Sequence, residues 1–236
     1  MENLRRLGGV AGVAAGVAAA WLFFGLVFVF PSTGLSMADQ QNAHKSLAFI
    51  GKHQDLTWIV NIPGGFLPPL LILVVLVALG ERFRDEAPAS SRVGPLLGIV
   101  GVIGIAAAAL VRHVGFAGLS ILYRVNKAGA VYAFYALFGM VKSFLALGDI
   151  ALGLAALVLG IAMVRTRTYT TAGYVGVVAG LMMILAGFTG RTNVLIFSFV
   201  PIAVWQIWTG LALLGEVGRR SEAAHRRSPA EPHLTT

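Results

Sequence analysis

Five polar side chains stand within or beside long apolar stretches of the sequence, where side chains of their type are rare. They are Arg112, His113, Lys142, Asp149 and Gln206. A charged side chain surrounded by lipid is costly, so such residues face the interior of a helix bundle, pair with one another or contact a solute. The set is therefore the candidate intramembrane polar site of this chain.

Two interpretations of this set stay open at the level of sequence. In the first, Asp149 is the binding carboxylate of a polar vestibule that opens outward, and Arg112, His113 and Lys142 tune it. In the second, Arg112 and Asp149 form a structural ion pair that locks two helices together. Gln206 is expected to hydrogen-bond to another helix.

Six apolar stretches position these residues. Roughly 20 apolar residues in a helix cross the ~30 Å hydrocarbon core of a bilayer. Stretches of this length occupy residues 8–30, 56–79, 94–111, 144–164, 170–188 and 194–214, and the third can extend to residue 123 and the fourth upstream. Lipid offers the backbone no hydrogen bonds, so continuous runs of this kind predict helices. We expect an all-α, polytopic membrane protein with six transmembrane helices in one bundle over residues 1–215, followed by a flexible basic cytoplasmic tail over residues 216–236.

Residue counting places Arg112 and Asp149 at one depth. Arg112 lies 17 residues after Pro95, and Asp149 lies 16 residues before Arg165. Each count corresponds to roughly 25 Å from the inner boundary of the membrane. The third and fourth spans are joined by a short turn, so they are expected to be antiparallel neighbours in which Arg112 faces Asp149. Lys142 is expected roughly 10 Å further out, at the interface, where its chain can reach the head groups.

Composition agrees with a membrane protein and narrows its chemistry. Of the 236 residues, 57% are hydrophobic, 12% are charged and none is cysteine. Disulfide, thiolate and iron–sulfur chemistry are thereby excluded. The chain carries no H-E-x-x-H, G-x-S-x-G or P-loop motif, and His113 is the one histidine within a span, too few for haem held between paired histidines. We expect no cofactor and no metal, and an enzyme is the less favoured class.

Lysine and arginine are distributed unevenly between the loops. Eleven of the 18 fall on the side of the N-terminus, five on the other side, and two, Arg112 and Lys142, within or beside spans. Because short cytoplasmic loops are enriched in these residues, both termini are predicted to be cytoplasmic, in a cell membrane. The net charge of +8 then predicts anionic lipid head groups as partners at the cytoplasmic face, and no nucleic acid.

The segment between the first two spans, residues 31–55, is polar. Ser36 stands three residues before Asp39, the spacing of a capping box at a helix N-terminus with Asp in place of Glu or Gln. This spacing predicts a polar helix over residues 38–50. Two histidines and two aspartates lie in the segment, but their spacing brings no three of them to one helical face. A solvated interfacial helix is therefore favoured over a metal site.

Glycines recur at four-residue spacing in three spans, at Gly8, Gly12 and Gly16, at Gly94 and Gly98, and at Gly176 and Gly180. Faces of small residues let helix backbones approach closely. Packing within one chain is the default expectation, and packing against a second copy in a homo-oligomer is the alternative. Pro68 and Pro69 are expected to kink the second span, and Pro201 the sixth.

Several segments together resemble one family. They are Ser36-Met37-Ala38-Asp39, Gly51-Lys52-His53, Leu147-Gly148-Asp149-Ile150 followed by Gly153 and Gly160, Arg165-Thr166-Arg167-Thr168, and the closing run from Phe199 to Trp208. In this combination they resemble a widespread bacterial family of six-helix integral membrane proteins of unknown function. The resemblance covers most of the chain. It implies six spans and implies no activity or site.

The sequence favours a binding or structural module of a bacterial cytoplasmic membrane. The alternative is a small-solute transporter or channel with an outward-facing polar vestibule near Asp149. A proline-kinked span that lines a water-accessible cavity next to Asp149 would favour transport, whereas a dry, fully packed bundle would favour a structural role.

The uneven distribution of lysine and arginine generates a prediction about topology. Two reporter domains are fused after Thr236, one that is active only in the cytoplasm and one that is active only outside. The cytoplasmic reporter alone should be active, because the basic segments stay on that side of the membrane. A fusion that is active only outside would contradict the predicted orientation.

Overall fold

The computed structural model describes residues 2–190 and 192–227, so Arg191 and the last nine residues of the predicted tail, 228–236, lie outside the described residues. The helices are α1 Glu2–Ser32, α2 Ala43–Lys52, α3 Gln54–Arg82, α4 Pro88–Val125, α5 Lys127–Arg165, α6 Thr170–Thr189 and α7 Thr192–Arg227. All of them except α2 are long and apolar enough to cross a membrane. The predicted all-α, polytopic fold is confirmed, and the third and fourth spans are extended as expected.

The six long helices form a closed ring in chain order. Each one packs against the next, and α7 returns to pack against α1. Short connections explain this order, since Asn126 alone separates α4 from α5 and its side chain accepts a hydrogen bond from the Gly129 backbone N–H, 2.9 Å away. We call the end of the ring that carries α2 the outer end, and the end at which α1 begins the inner end.

Glycines hold α1 against α7. A Cβ atom on Gly12 would lie 2.9 Å from the carbonyl oxygen of Gln206 and 2.9 Å from the Cα of Gly210. Helix association in lipid depends on close packing and not on expulsion of water from between apolar faces, so this contact is a main attachment of the first span to the last. The glycine repeat of the first span therefore packs within one chain, as expected by default.

A second glycine contact fixes how α4 lies along α5. A Cβ on Gly104 would meet the backbone nitrogen of Gly148 at 2.8 Å, and a Cβ on Gly148 would meet the backbone nitrogen of Ile105 at 2.9 Å. No side chain fits between the two backbones here. This contact sets the relative height of every residue on the two helices, including the polar ones.

Ionic contacts close the inner end of the ring. The carboxylate of Glu216 on α7 accepts hydrogen bonds from Arg5 on α1 and from Arg82 on α3, each at 3.1 Å, and from the Tyr169 hydroxyl. Arg82 also pairs with Glu86 at 2.6 Å, and this hydrogen bond lowers the pKa of the Glu86 carboxyl. These contacts join three helices and the link between α5 and α6.

The link between α5 and α6 has an unusual backbone. Arg167 and Tyr169 both adopt the left-handed conformation, with φ of 54° and 57°, which costs a residue with a side chain about 1 kcal/mol. The turn places the Tyr169 ring against Phe83 and its hydroxyl on Glu216. Burial is the main cause that raises the pKa of this hydroxyl, and the bond to Glu216 adds to it.

The chain was expected to leave the membrane domain at residue 216. In the structure α7 continues as a helix to Arg227, and Glu216 is held in the inner contacts. The assignment of residues 216–236 to a flexible tail stays a prediction. The predicted span ends before Glu216 because Glu216 is the first charged side chain after the apolar stretch. That side chain has cationic partners on two other helices, which the local sequence does not reveal.

The contact at Gly12 generates a prediction about stability. Gly12→Leu should destabilise the protein by about 1–3 kcal/mol, because the added side chain has no space between α1 and α7. Gly118→Leu is the matched control, since no atom lies within 4 Å of a Cβ built there. Thermal unfolding in detergent should show a lower Tm for the first variant and an unchanged Tm for the second; equal Tm values would show that the α1–α7 contact is not needed.

Candidate functional site

A cavity of about 160 Å³ lies inside the ring in its outer half. This volume has room for several water molecules or a small organic molecule. Its polar lining side chains are Gln40, Gln41, Ser46, Thr57, Asn61, Arg112, Lys142, Asp149 and Gln206, and its remaining wall is largely apolar. Four of the five residues singled out in the sequence therefore line one cavity.

Three wide helical turns surround this cavity. Residues Gly25–Val29 of α1, Ile62–Phe66 of α3 and Val111–Gly115 of α4 each form a single π-helical turn. Each turn contributes to the lining, through Leu26, through Gly64 with Gly65, and through Arg112. Such turns insert an extra residue into a helix and often occur at functional sites.

Proline also shapes the wall. Pro68 and Pro69, which follow the π-helical turn of α3, both line the cavity. A proline removes a backbone hydrogen bond and widens the helix around it. At Pro201, in contrast, α7 is helical without a break. The span that contains Pro68 and Pro69 therefore borders the same cavity as Asp149.

The predicted Arg112–Asp149 ion pair is wrong. Among the described residues Arg112 forms no salt bridge, and its guanidinium donates a hydrogen bond to the Gln40 side-chain oxygen, 3.2 Å away. Gly104 is level with Gly148, so Arg112 stands about nine residues, or roughly 13 Å, outward of Asp149.

The error has a definite physical origin. The depth of Arg112 was counted from Pro95 on the assumption that Pro95 and Arg165 lie in one plane. In the structure α4 begins at Pro88, and the contact between Gly104 and Gly148 makes Arg165 level with that end of the helix. The apolar stretch starts at residue 94, so the count omits the polar first turns of α4.

Asp149 is buried without a partner. Its residue is 4% exposed, and within the described part of the chain no hydrogen bond or ion pair reaches its carboxyl group. Most buried polar groups have at least one partner. An unpaired carboxyl that lines a cavity is therefore exceptional in this bundle.

Gln206 is unpaired in a similar way. It is 1% exposed, and its side-chain oxygen has no hydrogen-bond donor among the described residues. This oxygen thus does not make the hydrogen bond to another helix that the sequence predicts for Gln206. The site therefore offers two acceptors without donors, Asp149 and Gln206.

Lys142 and His113 differ in their relation to the cavity. Lys142 lines it, and its ammonium nitrogen lies 5.0 Å from the centre of the Phe138 ring. His113 does not line it. Its ring packs at 85° against that of Trp58, with the centroids 3.9 Å apart, and both ring nitrogens lack hydrogen bonds among the described residues. His113 is thus outside the candidate site.

The polar segment covers the outer end of the cavity. A short turn over Asp39–Gln41 precedes α2, and Asn42 separates the two by capping α2, so the predicted single helix over 38–50 is divided. The Ser36 hydroxyl accepts from the Asp39 backbone N–H at 3.2 Å, as the capping spacing predicts. The Asp39 carboxylate accepts from this hydroxyl at 2.7 Å and not from the Ser36 backbone N–H, as it would in a full capping box. The hydrogen bond from Lys45 is the main cause that lowers the pKa of Asp39.

Sequence reasoning missed the lining residues of this segment and of α3. Gln40, Ser46, Thr57 and Asn61 all line the cavity. Asn61, two residues before Pro63-Gly64-Gly65, was a detectable signal, because a polar side chain beside a helix-widening sequence in a span often faces a cavity. In the part of the chain that the structure describes, no three His, Asp or Glu side chains gather as metal ligands.

Comparisons of the chain with protein-family models, curated proteins and solved structures found no match. The class of protein is therefore defined by the geometry alone. It is a six-helix membrane bundle with an internal, partly polar cavity. The resemblance to a bacterial six-helix family stays a prediction.

The unpaired state of Asp149 generates a prediction about stability. Removal of its charge should not lower the free energy of unfolding, whereas removal of one member of a buried ion pair would lower it. Asp149→Asn should leave the free energy of unfolding unchanged or raise it, because no partner loses its counter-charge. Glu216→Gln is the matched control, since it removes a buried carboxylate that is paired, and should cost about 3 kcal/mol. Denaturation of both variants in one detergent measures the difference, and a large loss with Asp149→Asn would show a partner for this carboxyl.

Proposed function

We propose that the protein binds a small solute inside the membrane, in the cavity beneath the outer segment, with Asp149 as the principal binding group. The observation that carries this proposal is the pair of buried, unsatisfied acceptors, Asp149 and Gln206, that line one cavity. A ligand with donor groups satisfies both. Its burial offsets the cost of keeping them at membrane depth.

Packing elsewhere in the ring supports binding over a purely structural role. The inner half holds a closely packed cluster that includes Leu76, Leu79, Leu159 and Trp205, each at most 1% exposed. Glycine contacts bring the backbones together along several helix pairs. The bundle can therefore pack closely, yet its outer centre stays open at the place where the polar residues converge. A purely structural role gives no reason for this opening.

Transport of the solute is the second candidate function. It is favoured by Pro68 and Pro69, which line the same cavity as Asp149, because prolines allow a helix to bend about its middle. In this case the ionic contacts of Glu216 close the opposite, inner end of the bundle. A carrier would have to release them in order to discharge the solute inward.

Catalysis has less support. The two hydroxyl groups of the lining both donate to backbone carbonyl oxygens: Ser46 to that of Gln40, at 2.9 Å, and Thr57 to that of His53, at 2.9 Å. Neither is aligned with a base, which an activated nucleophile requires. The proposal therefore contains no reaction.

The proposed setting is the cytoplasmic membrane of a bacterium, with both termini inside. The excess of lysine and arginine on the side of the N-terminus supports this orientation, as does the resemblance of the chain to a bacterial family. Anionic lipid head groups are the proposed partners of these basic residues. The protein works as a single chain in this proposal, since its known glycine faces pack against its own helices, and a homo-oligomer is the alternative.

Cysteine labelling tests whether the cavity is open to solutes, and the natural absence of cysteine makes every introduced thiol unique. Ala109 lines the cavity, whereas its neighbour Leu110 faces outward and is 54% exposed. In proteoliposomes, Ala109→Cys should react with a membrane-impermeant methanethiosulfonate and Leu110→Cys should not, because thiols react as thiolates, which need water. Absence of reaction at Ala109→Cys would indicate a sealed, structural bundle.

A thiol in the inner core separates transport from binding alone. Ala155 is fully buried in the inner cluster. Ala155→Cys should react from the inner side if the protein alternates between two open states, because inward opening admits water to that level. Protection of this thiol from both sides, with Ala109→Cys reactive, would leave binding as the function.

A further inference from the structure

The charged groups of the cavity stand at two heights. Lys142 precedes Gly148 by six residues and Arg112 follows Gly104 by eight, so the contact between these glycines puts the two cations near one level. Asp149 lies seven residues after Lys142 on the same helix, or roughly 10 Å deeper. All three side chains line the cavity.

Neither cation has a carboxylate partner in the part of the chain that the structure describes. The hydrogen bond that Arg112 donates goes to the neutral side-chain oxygen of Gln40, and Lys142 lies over the Phe138 ring. Among the described residues neither side chain forms a salt bridge. The outer level thus presents two positively charged side chains that donate hydrogen bonds and accept none. An anionic group complements both of them.

The deeper level has the opposite character. Among the described residues no donor reaches the Gln206 oxygen, and no hydrogen bond or ion pair reaches the Asp149 carboxylate, so both are acceptors without donors there. An ammonium group carries three N–H donors and a positive charge. It therefore complements this part of the cavity in hydrogen bonding and in charge.

The wall between the two levels is apolar. Ile105 and Ala108 of α4 and Leu145 of α5 line the cavity there. Polar groups in the middle of a ligand would lose their hydrogen bonds with water at this wall, at a cost in affinity. The middle of a fitting ligand is therefore hydrocarbon.

We infer that the solute is an elongated zwitterion, with an ammonium group at Asp149 and Gln206, a hydrocarbon middle, and a carboxylate or phosphate at Arg112 and Lys142. This inference rests on the proposed binding function and deepens it. A simple cation leaves the two outer cations without a counter-charge, and a simple anion places its hydrocarbon end on the Asp149 carboxyl. A zwitterion satisfies both levels at once.

Three probes of equal chain length test the charge pattern on the intact protein. They are 8-aminooctanoate, which carries both charges, octanoate, which lacks the ammonium group, and octylamine, which lacks the carboxylate. Calorimetric titration in nanodiscs should show 8-aminooctanoate binding about tenfold tighter than either of the others, or more, since each charge-assisted contact is worth that factor. The shorter 6-aminohexanoate should lose most of this advantage, because it does not reach both levels.

Variants locate the two ends of the ligand. Asp149→Asn should reduce the affinity for 8-aminooctanoate to about that for octanoate, and Lys142→Gln should weaken the carboxylate-bearing probes while leaving octylamine unchanged. Lys127→Gln is the matched control. Its ammonium group also lies over a ring on the outer side, that of Tyr123, but Lys127 does not line the cavity.

The outcomes distinguish the inference from the function beneath it. If octylamine binds as tightly as 8-aminooctanoate and depends on Asp149, or if no probe binds while Ala109→Cys is labelled, the zwitterion is wrong and the binding cavity stands. If no probe binds and Ala109→Cys is protected, the proposed function falls together with the inference. The comparison of probes on the unmodified chain needs no variant to fold.

Discussion

Contacts between glycines set the register of this bundle, and the position of every other group depends on them. Lipid is as apolar as the helix surfaces, so helices associate where backbones can come close. Gly12 with Gly210 and Gly104 with Gly148 are such places. Once the height of α4 on α5 is fixed there, Arg112 and Asp149 are separated along the membrane normal and cannot neutralise each other.

That separation gives the cavity its charge pattern. Tight packing closes the inner half of the ring, and the ionic contacts of Glu216 hold its end together. In the outer half, π-helical turns and prolines border the cavity. Polar groups that would be paired in a closed bundle instead line a space. Such groups normally destabilise a membrane protein, which argues that a ligand is the reason for their presence.

The segment between α1 and α3 completes the site from outside the membrane. Its capped turn and the Asp39–Lys45 pair hold Gln40 where it reaches Arg112. An arginine that would otherwise face the apolar wall alone is thereby oriented by a neutral partner, and its charge stays available. The outer segment thus orients Arg112 at the upper level of the cavity and does not merely link two spans.

The six spans, the all-α fold, the contact of the Ser36 hydroxyl with the Asp39 N–H and four of the side chains that line the cavity could be predicted from the sequence. These follow from local properties, since lipid requires apolar helices of a given length and makes each buried polar residue conspicuous. Three features could be known only from the packed bundle: Arg112 binds Gln40, His113 packs on Trp58 outside the site, and α7 runs on past Glu216. Each of these depends on which backbones meet and at what height. That is settled by packing at ångström scale between residues distant in the chain, which hydropathy does not encode.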